Sequence, residues 1–345
     1  MANQSKILID SDISIAKTMP SKFYLEDFYF ENSLNTIFKN SWHFVAHKNS
    51  INRKIAPFTL LKDTISQPII ISKVGGQINF LSNVCTHRGN ILCSKSSNDT
   101  YLRCSYHGRT FDLNGKIKNM PGFDGVKNFP NKNDNLQKIK SFEWEKFVFC
   151  SLSKGIFIRD ILNDISKRLK FFPFTKLVFD KKKSNTYVID VHWALYCENY
   201  LEGFHVPYVH KGLNSDINLN SYKTETFKNG VLQYTNSKSD DVYAYYYWIF
   251  PNMMFNFYNW GLSINLIEPI NKEKTRIKFL SFPIEGKSQP KNTASSLEKV
   301  EQEDQKIVKQ VQKGIKSNFY DRGRYSAKHE KGVHHFHRLI SQYLK

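Results

Sequence analysis

Two short segments constrain this chain more than anything else in it: Cys85-Thr86-His87 and, sixteen residues further on, Cys104-Ser105-Tyr106-His107. Two cysteines and two histidines suit a tetrahedral zinc ion. Zinc sites, however, usually draw like ligands together, cysteine beside cysteine and histidine beside histidine. Here each loop supplies one of each, so each can give a thiolate to one metal and an imidazole to another. That is the ligand set of a two-iron, two-sulfur cluster in which two histidines replace two cysteines on one iron. Neutral imidazole in place of thiolate lessens the negative charge of the cluster and raises its potential. Gly89 and Gly108 follow the two loops closely, and glycine lets backbone amides approach the sulfurs. Zinc stands as the competing reading.

A second candidate cluster lies in Asn199-Tyr200-Leu201-Glu202-Gly203-Phe204-His205-Val206-Pro207-Tyr208-Val209-His210. His205 and His210 are five apart, which on a regular helix turns them about 140° away from a common face. They can share a metal only if the helix is distorted, and Gly203 and Pro207 supply the means. Iron that activates oxygen takes two histidines and one carboxylate, leaving positions open. The spacing predicts a helix over Ser295–Ile315, with a capping-box start at Ser295 and Glu298. Leu297, Val300, Ile307, Val308, Val311 and Ile315 form its apolar stripe, and Asp304 falls on that stripe. A buried carboxylate needs a positive partner. A metal is one; a Lys or Arg salt bridge is the bland alternative. Glu301 and Glu303 read as solvated. His334-His335-Phe336-His337, near Glu330, is a competing metal candidate read as having a structural or substrate-side role. His43, His47, His192 and His329 read as ordinary hydrogen-bonded histidines.

Composition narrows the class. With 345 residues, 40% hydrophobic and 14% aromatic, the chain can bury a core in each of two domains. No apolar run reaches membrane-spanning length, and the first residues lack a basic stretch followed by an apolar one, so no secretory signal is expected. Five cysteines in so long a chain argue against a disulfide framework. Cys93, Cys150 and Cys197 read as unreactive thiols, and a reducing, cytoplasmic setting is expected. The formal charge of +19 is spread along the chain with no nucleic-acid motif beside it. Docking of an acidic electron-donor protein is a better use of that charge. Neither a nucleic-acid nor a membrane partner is expected.

The expected organisation is a short arm and helix over residues 1–40, anchored by Phe23, Tyr24, Phe28 and Phe30, then a β-rich domain over 41–153, then a mixed domain over 154–345. Pro68–Ser72 reads as a strand. Gly75-Gly76 and Asn114-Gly115 read as hairpin turns with positive φ at both central positions. The aromatic and β-branched stretches Tyr243–Trp260 and Leu266–Phe282 read as strands. An antiparallel sheet closed by helices is the economical architecture, giving an α+β fold class.

The two motifs together resemble the Rieske non-haem iron oxygenase family, in its catalytic α subunits, over nearly the whole chain. The resemblance implies a β-rich Rieske [2Fe–2S] domain and a helix-grip (START-like) catalytic domain with an antiparallel sheet. It also implies homotrimers in which one subunit's cluster feeds the next subunit's iron. The family's ligands map onto Cys85, His87, Cys104 and His107 for the cluster, and onto His205, His210 and Asp304 for a mononuclear iron. Its bridging acid, which links a cluster histidine (His107) across the subunit boundary, falls on Glu202. Glu202 and Asn199 are the candidate catalytic residues. Two positions depart from the family pattern: the bridging acid is more often Asp, and the residue after the second His-Gly is often Trp where this chain has Arg109.

Within the family the second half looks most like choline monooxygenase-type members. Glu198–Gly203, His205–Lys211, Val311–Gly314, Tyr320–Tyr325 and His334–His337 carry that likeness. It implies oxygen insertion into a C–H bond of a quaternary ammonium compound, with a ferredoxin or flavin reductase as electron donor. For such a substrate Phe255, Phe257, Tyr258 and Trp260 are the candidate cage. The alternatives are an aromatic ring-hydroxylating oxygenase and a non-catalytic Rieske electron carrier.

Overall fold

The computed structural model describes residues 6–237, 242–287 and 297–344, which form two units: Trp42–Gly155, and the remaining chain up to Ser41 and from Ile156. In the first, three three-stranded antiparallel sheets are built from β1 (His43–His47), β2 (Ile55–Leu60), β3 (Gln67–Val74), β4 (Gln77–Ser82), β5 (Tyr101–Arg103), β6 (Thr110–Asp112), β7 (Ile117–Asn119), β8 (Lys140–Trp144) and β9 (Phe147–Ser151). Their orders are β1-β9-β8, β2-β3-β4 and β5-β6-β7. Ile69, Ile70 and Ile71 of β3 are all buried, so that strand is covered on both faces, which suits its unbroken apolar run. Ile70, Leu81, Leu102 and Phe111 enclose Cys85 and Cys104 in one core.

The turn at Gly75-Gly76 has positive φ at both glycines. At Asn114-Gly115 only Gly115 does, so the tight turn expected there is replaced by another. Asp112 Oδ1 accepts from the amides of Asn114 and Lys116, and the β6–β7 register shifts between Thr110 and Phe111. The side-chain cap and the bulge carry the curvature that a second positive φ would have supplied.

The second unit begins with α1 (Ser21–Leu25) and α2 (Asp27–Thr36), followed by α3 (Arg159–Arg168). Its sheet comprises β10 (Asp180–Ile189), β11 (Ile217–Phe227), β12 (Gly230–Ser237), β13 (Val242–Ile249), β14 (Met253–Tyr258), β15 (Gly261–Asn271) and β16 (Lys274–Pro283). Among the described residues these seven strands pair antiparallel in the order β10-β16-β15-β14-β13-β12-β11. The helices α4 (Trp193–Tyr200), α5 (Val206–Val209), α6 (Lys211–Asp216), α7 (Leu297–Gly314) and α8 (Lys331–Tyr343) complete it. Phe336 of α8 packs edge-on against Trp193 of α4 and Trp248 of β13, at 5.7 and 5.0 Å between ring centres.

Several expectations are corrected. Phe28 is 39% exposed, and Tyr29 is the buried anchor instead, beside Phe23, Tyr24 and Phe30. On α7, Val311 is exposed while Glu301, Val308, Gln312 and Ile315 are buried; this three- and four-residue spacing is the true inner stripe. Ser295 of the expected capping box lies outside the described residues. The histidines at 334, 335 and 337 hydrogen-bond three separate groups: the Asp10 carbonyl, the Phe227 carbonyl and the Tyr325 hydroxyl. No helix among the described residues is long and apolar enough to cross a membrane.

Candidate metal centres and substrate cavity

The loops Cys85–Gly89 and Cys104–Gly108 are structural duplicates. In each, the glycine amide donates to the cysteine carbonyl at 3.0 Å, with the glycine at φ +72° or +74°. In each, the cysteine amide donates at 2.8 Å to the carbonyl of the residue after that glycine, Asn90 or Arg109. A left-handed residue closes each turn, which is why glycine stands there. The side chains of these two following residues reach across to the opposite loop. Asn90 Nδ2 donates to Ser105 Oγ at 3.4 Å, and Arg109 Nη1 donates to Thr86 Oγ1 at 2.9 Å.

Cys85 and Cys104 are each only 2% exposed and their sulfurs face one another. Burial pushes the Cys85 thiol up. For Cys104, burial acts the same way but is outweighed by the amides of Tyr106 and His107, which hold the thiol below its usual range. The His87 and His107 rings lie 4.7 Å apart, and the Nδ1 atom of each is buried without a hydrogen-bond partner. Two opposed sulfurs and two orphaned ring nitrogens fit the thiolate-and-imidazole set of a two-iron cluster.

The mononuclear site shows how residues five apart converge. After Tyr200 the regular helix stops. Glu202 Oε2 accepts from the backbone amides of Phe204 and His205, and the chain restarts as the single turn α5, with Pro207 near its start. His205 and His210 are the residues flanking that turn, so neither is bound to a regular helical face. Their Nε2 atoms lie 3.2 Å apart, and Asp304 Oδ1 on α7 is 2.9 Å from that of His210 and 3.5 Å from that of His205.

The far sides of both rings are tied down. Glu202 Oε1 lies 2.6 Å from His205 Nδ1, and Glu303 Oε2 lies 2.8 Å from His210 Nδ1. Each carboxylate fixes the ring proton on Nδ1, which leaves both Nε2 lone pairs facing Asp304. Three acceptors turned toward one point require a cation, and a carboxylate behind each imidazole is the usual support of a metal-binding histidine. Among the described residues this is the one group of three or more such side chains with converging ligand atoms.

A cavity of about 150 Å³ opens beside these donors. Tyr196, Tyr200, Tyr222, Tyr246, Tyr258 and Phe279 supply its rings, and Asn199 and Glu202 also line it. Polar bonds hold the rings in place: Tyr200 Oη donates to Asn256 Oδ1 at 2.6 Å and Tyr222 Oη to Gln233 Oε1 at 3.0 Å. Of the four aromatic residues expected here, Tyr258 lines the cavity. Phe255 and Phe257 do not, because strand alternation turns them to the other face; Phe257 packs on Phe172 and Phe174. Trp260 stacks behind Tyr258 at 5.2 Å.

Glu301 and Glu303, read as solvated, both belong to the site. Glu301 is 7% exposed and lines the cavity. It accepts from the Tyr196 hydroxyl and, at 3.1 Å, from Gln305 Nε2. Burial pushes its carboxyl up to about 8. Among the described residues no Lys, Arg or His is ion-paired with it. The only sequence signal for these two acids was their helical distance from Asp304, one residue and three.

A Rieske domain and a three-donor metal site carried by one chain define an oxygenase catalytic subunit, and the comparisons agree. Residues 41–130 match the Rieske [2Fe-2S] domain and residues 178–345 match the ring hydroxylating alpha subunit (catalytic domain). The chain belongs to the Rieske non-haem iron oxygenase family, as a catalytic α subunit, and is an oxidoreductase whose two centres are the cluster and the mononuclear iron. It is 29% identical to the chloroplastic choline monooxygenase of Arabidopsis thaliana, over 99% of this chain and 87% of that one. It is 25% identical to the carnitine monooxygenase oxygenase subunit of Escherichia coli (strain K12), over 96% and 94% of the two. In fold it is similar to a crystal structure of the quaternary ammonium Rieske monooxygenase CntA with L-carnitine, with a TM-score of 0.82, 24% identity and 99% and 100% coverage. Naphthalene 1,2-dioxygenase shares the fold more distantly, with a TM-score of 0.71, 17% identity and 97% and 94% coverage.

Proposed function

We propose that this chain is the oxygenase component of a monooxygenase that hydroxylates a quaternary ammonium compound. The observation that carries the reading is the wall of the cavity: six aromatic rings and one buried acid, Glu301, with no cationic partner among the described residues. A quaternary nitrogen has no hydrogen to donate, so rings and carboxylate charge are what can hold it. The chain's net charge of +19 opposes a cation at long range. Near the two histidines, however, Glu202, Glu303 and Asp304 set the local sign, because screening limits the reach of distant surface charge, and a bound cation would favour ionisation of Glu301 as well. The names of the choline and carnitine monooxygenase relatives point to the same substrate class. An apolar aromatic substrate would offer the Glu301 carboxyl no charge partner, leaving it in the neutral form that burial favours.

When bound, the cluster supplies single electrons and the mononuclear iron supplies oxygen activation. The residues do the rest. His205, His210 and Asp304, whose donor atoms converge on the cavity wall, would hold the iron. Glu202 and Glu303 keep the ring protons on Nδ1 so that Nε2 stays available. Glu301 and the tyrosines hold the cation so that a neighbouring carbon faces the iron ligands.

We further assign Glu202 to electron passage from the cluster histidine of a neighbouring copy, His107 in this numbering, within a homotrimer. Asn199, beside it on the cavity wall, is the second candidate catalytic residue. A ferredoxin or flavin reductase is the donor in this reading, and the cytoplasm is the compartment. Its functional division is 41–153 for the cluster domain and 154–345 for the catalytic domain, with 1–40 packed on the latter.

The test is oxygen uptake by the reconstituted enzyme with a reductase. Uptake is expected on choline or carnitine and not on 3,3-dimethylbutan-1-ol, the neutral isostere of choline. Uptake on an aromatic acid and on neither cation overturns the reading.

A further inference from the structure

Arg109 is the most completely buried charged group in the Rieske unit, 1% exposed. Its guanidinium lies against a pair of mutually packed rings, 5.2 Å from the centres of both Phe123 and Phe129. Phe123 in turn meets the His87 ring edge-on at 5.4 Å. Nη1 donates to Thr86 Oγ1, the residue between Cys85 and His87, and Nε is buried without a partner. The nearest counter-charge is Asp134, whose Oδ1 is 3.5 Å from Nη1 and whose side chain is 20% exposed. The other carboxylate oxygen of Asp134 already accepts from the Asn131 amide at 2.8 Å.

A guanidinium cannot shed its charge, so this one is permanent. Burying it costs free energy that a merely structural side chain would not incur. Its counterpart in the duplicated loop shows as much. Asn90 makes the equivalent crossing to Ser105 with a neutral amide, so pinning the loops together does not require a charge. What the charge adds is a field. Reduction places one more electron on the cluster, and in a dry core a fixed positive charge stabilises that added negative charge.

We propose that Arg109 tunes the cluster: its buried charge raises the potential of the two-iron centre, and Asp134 opposes it. The proposal rests on the reading that Cys85, His87, Cys104 and His107 hold a [2Fe–2S] cluster. Arg109 acts through Thr86 and Phe123 rather than by touching the irons, so it is a positioning and charge-setting residue. The electron comes from the reductase, one per reduction, and no bond is made or broken.

The test is a redox titration of the intact holoenzyme, followed by the electron paramagnetic resonance signal of the reduced cluster. Iron and sulfide analysis first establishes the cluster in the parent, where a failure is a failure of the cluster reading, and then checks loading in each variant. Arg109→Met keeps an apolar stem against the two rings and removes the charge. It is expected to shift the reduction equilibrium roughly tenfold toward the oxidised form, which is about 59 mV lower for a one-electron couple. Arg109→Lys keeps the charge and is expected to retain most of the potential. Asp134→Asn is expected to shift the potential upward. An unchanged potential in a fully loaded Arg109→Met overturns the proposal, as does a drop in Arg109→Lys equal to that in Arg109→Met. If Arg109→Met does not take up the cluster, Asp134→Asn decides: no upward shift there overturns it.

Discussion

Glu303 Oε2 lies 2.8 Å from His210 Nδ1, on the side of the ring opposite Asp304. One helix thus presents neighbouring acids to both nitrogens of a single imidazole, one as the proposed metal ligand and one as orienter. Removing such an orienting acid typically costs 10–100-fold in metal affinity. Glu303→Leu should therefore bind the mononuclear iron roughly 10–100-fold more weakly in a chelator competition, with the cluster absorbance unchanged. Glu303→Gln keeps an oxygen for the Nδ1 proton and should lose less. Equal affinity in Glu303→Leu and the parent contradicts the role.

Glu202 stands behind His205 in the same way, and it also fixes the turn through two amides. Glu202→Gln should keep both centres loaded, because its amide oxygen can accept the same proton. Passage of electrons from a pre-reduced cluster to the iron should slow by at least tenfold in single turnover, a tenfold change being about 1.4 kcal/mol of barrier. Loss of the mononuclear iron in that variant would mark Glu202 as a ligand instead and reopen the role of Asp304.

Glu301 carries the substrate reading. A buried carboxylate near a desolvated cation is worth a few kcal/mol at most once desolvation is offset. Glu301→Gln should raise KM for a quaternary ammonium substrate by roughly 10–100-fold, equivalent to about 1.4–2.8 kcal/mol. Binding of a neutral isostere should be unaffected or improved. A uniform loss for charged and neutral compounds would show that Glu301 shapes the cavity rather than supplying charge.

His192 is a pH-sensitive part of the fold away from the chemistry. It is fully buried against Phe23, Tyr24 and Phe30, and burial drives it down to about 3 from the usual 6.5. Between those values the unfolded chain binds the proton and the folded one does not. Its contribution is therefore complete above pH 6.5 and is lost as pH falls toward 3. At pH 4.5, two units below the unfolded value, the loss is on the order of 3 kcal/mol. Its ring nitrogen caps α4 by accepting from the Ala194 amide at 3.3 Å, a role asparagine can take over. His192→Asn should lose less Tm than the parent between pH 7.5 and 4.5. An equally large drop would assign the acid sensitivity elsewhere.

That the candidate metal ligands come together was legible in the sequence, because their chemistry is carried by residue type and spacing. Cys85, His87, Cys104 and His107 needed only the pairing of unlike ligands, and the antiparallel sheet needed only its aromatic and β-branched runs. The cavity was not legible, for reasons of parity and phase. One step along β14 exchanges Phe255 and Phe257 for Asn256 and Tyr258. A small rotation of the α7 stripe exchanges Val311 for Glu301. Tyr196, Tyr200, Tyr222 and Tyr246 come from three separate elements that converge only in the folded chain. Glu301 was misjudged because an acid on an amphipathic helix is normally solvated.

The central claim is the division between a sulfur-bound two-iron centre and a separate iron on His205, His210 and Asp304. Iron and acid-labile sulfide analysis of anaerobically purified protein, run beside Asp304→Ala, tests it most directly. The account predicts about three irons and two sulfides per chain in the parent, and about two of each in the variant. Zinc in either site, or the same iron content in both proteins, would contradict it.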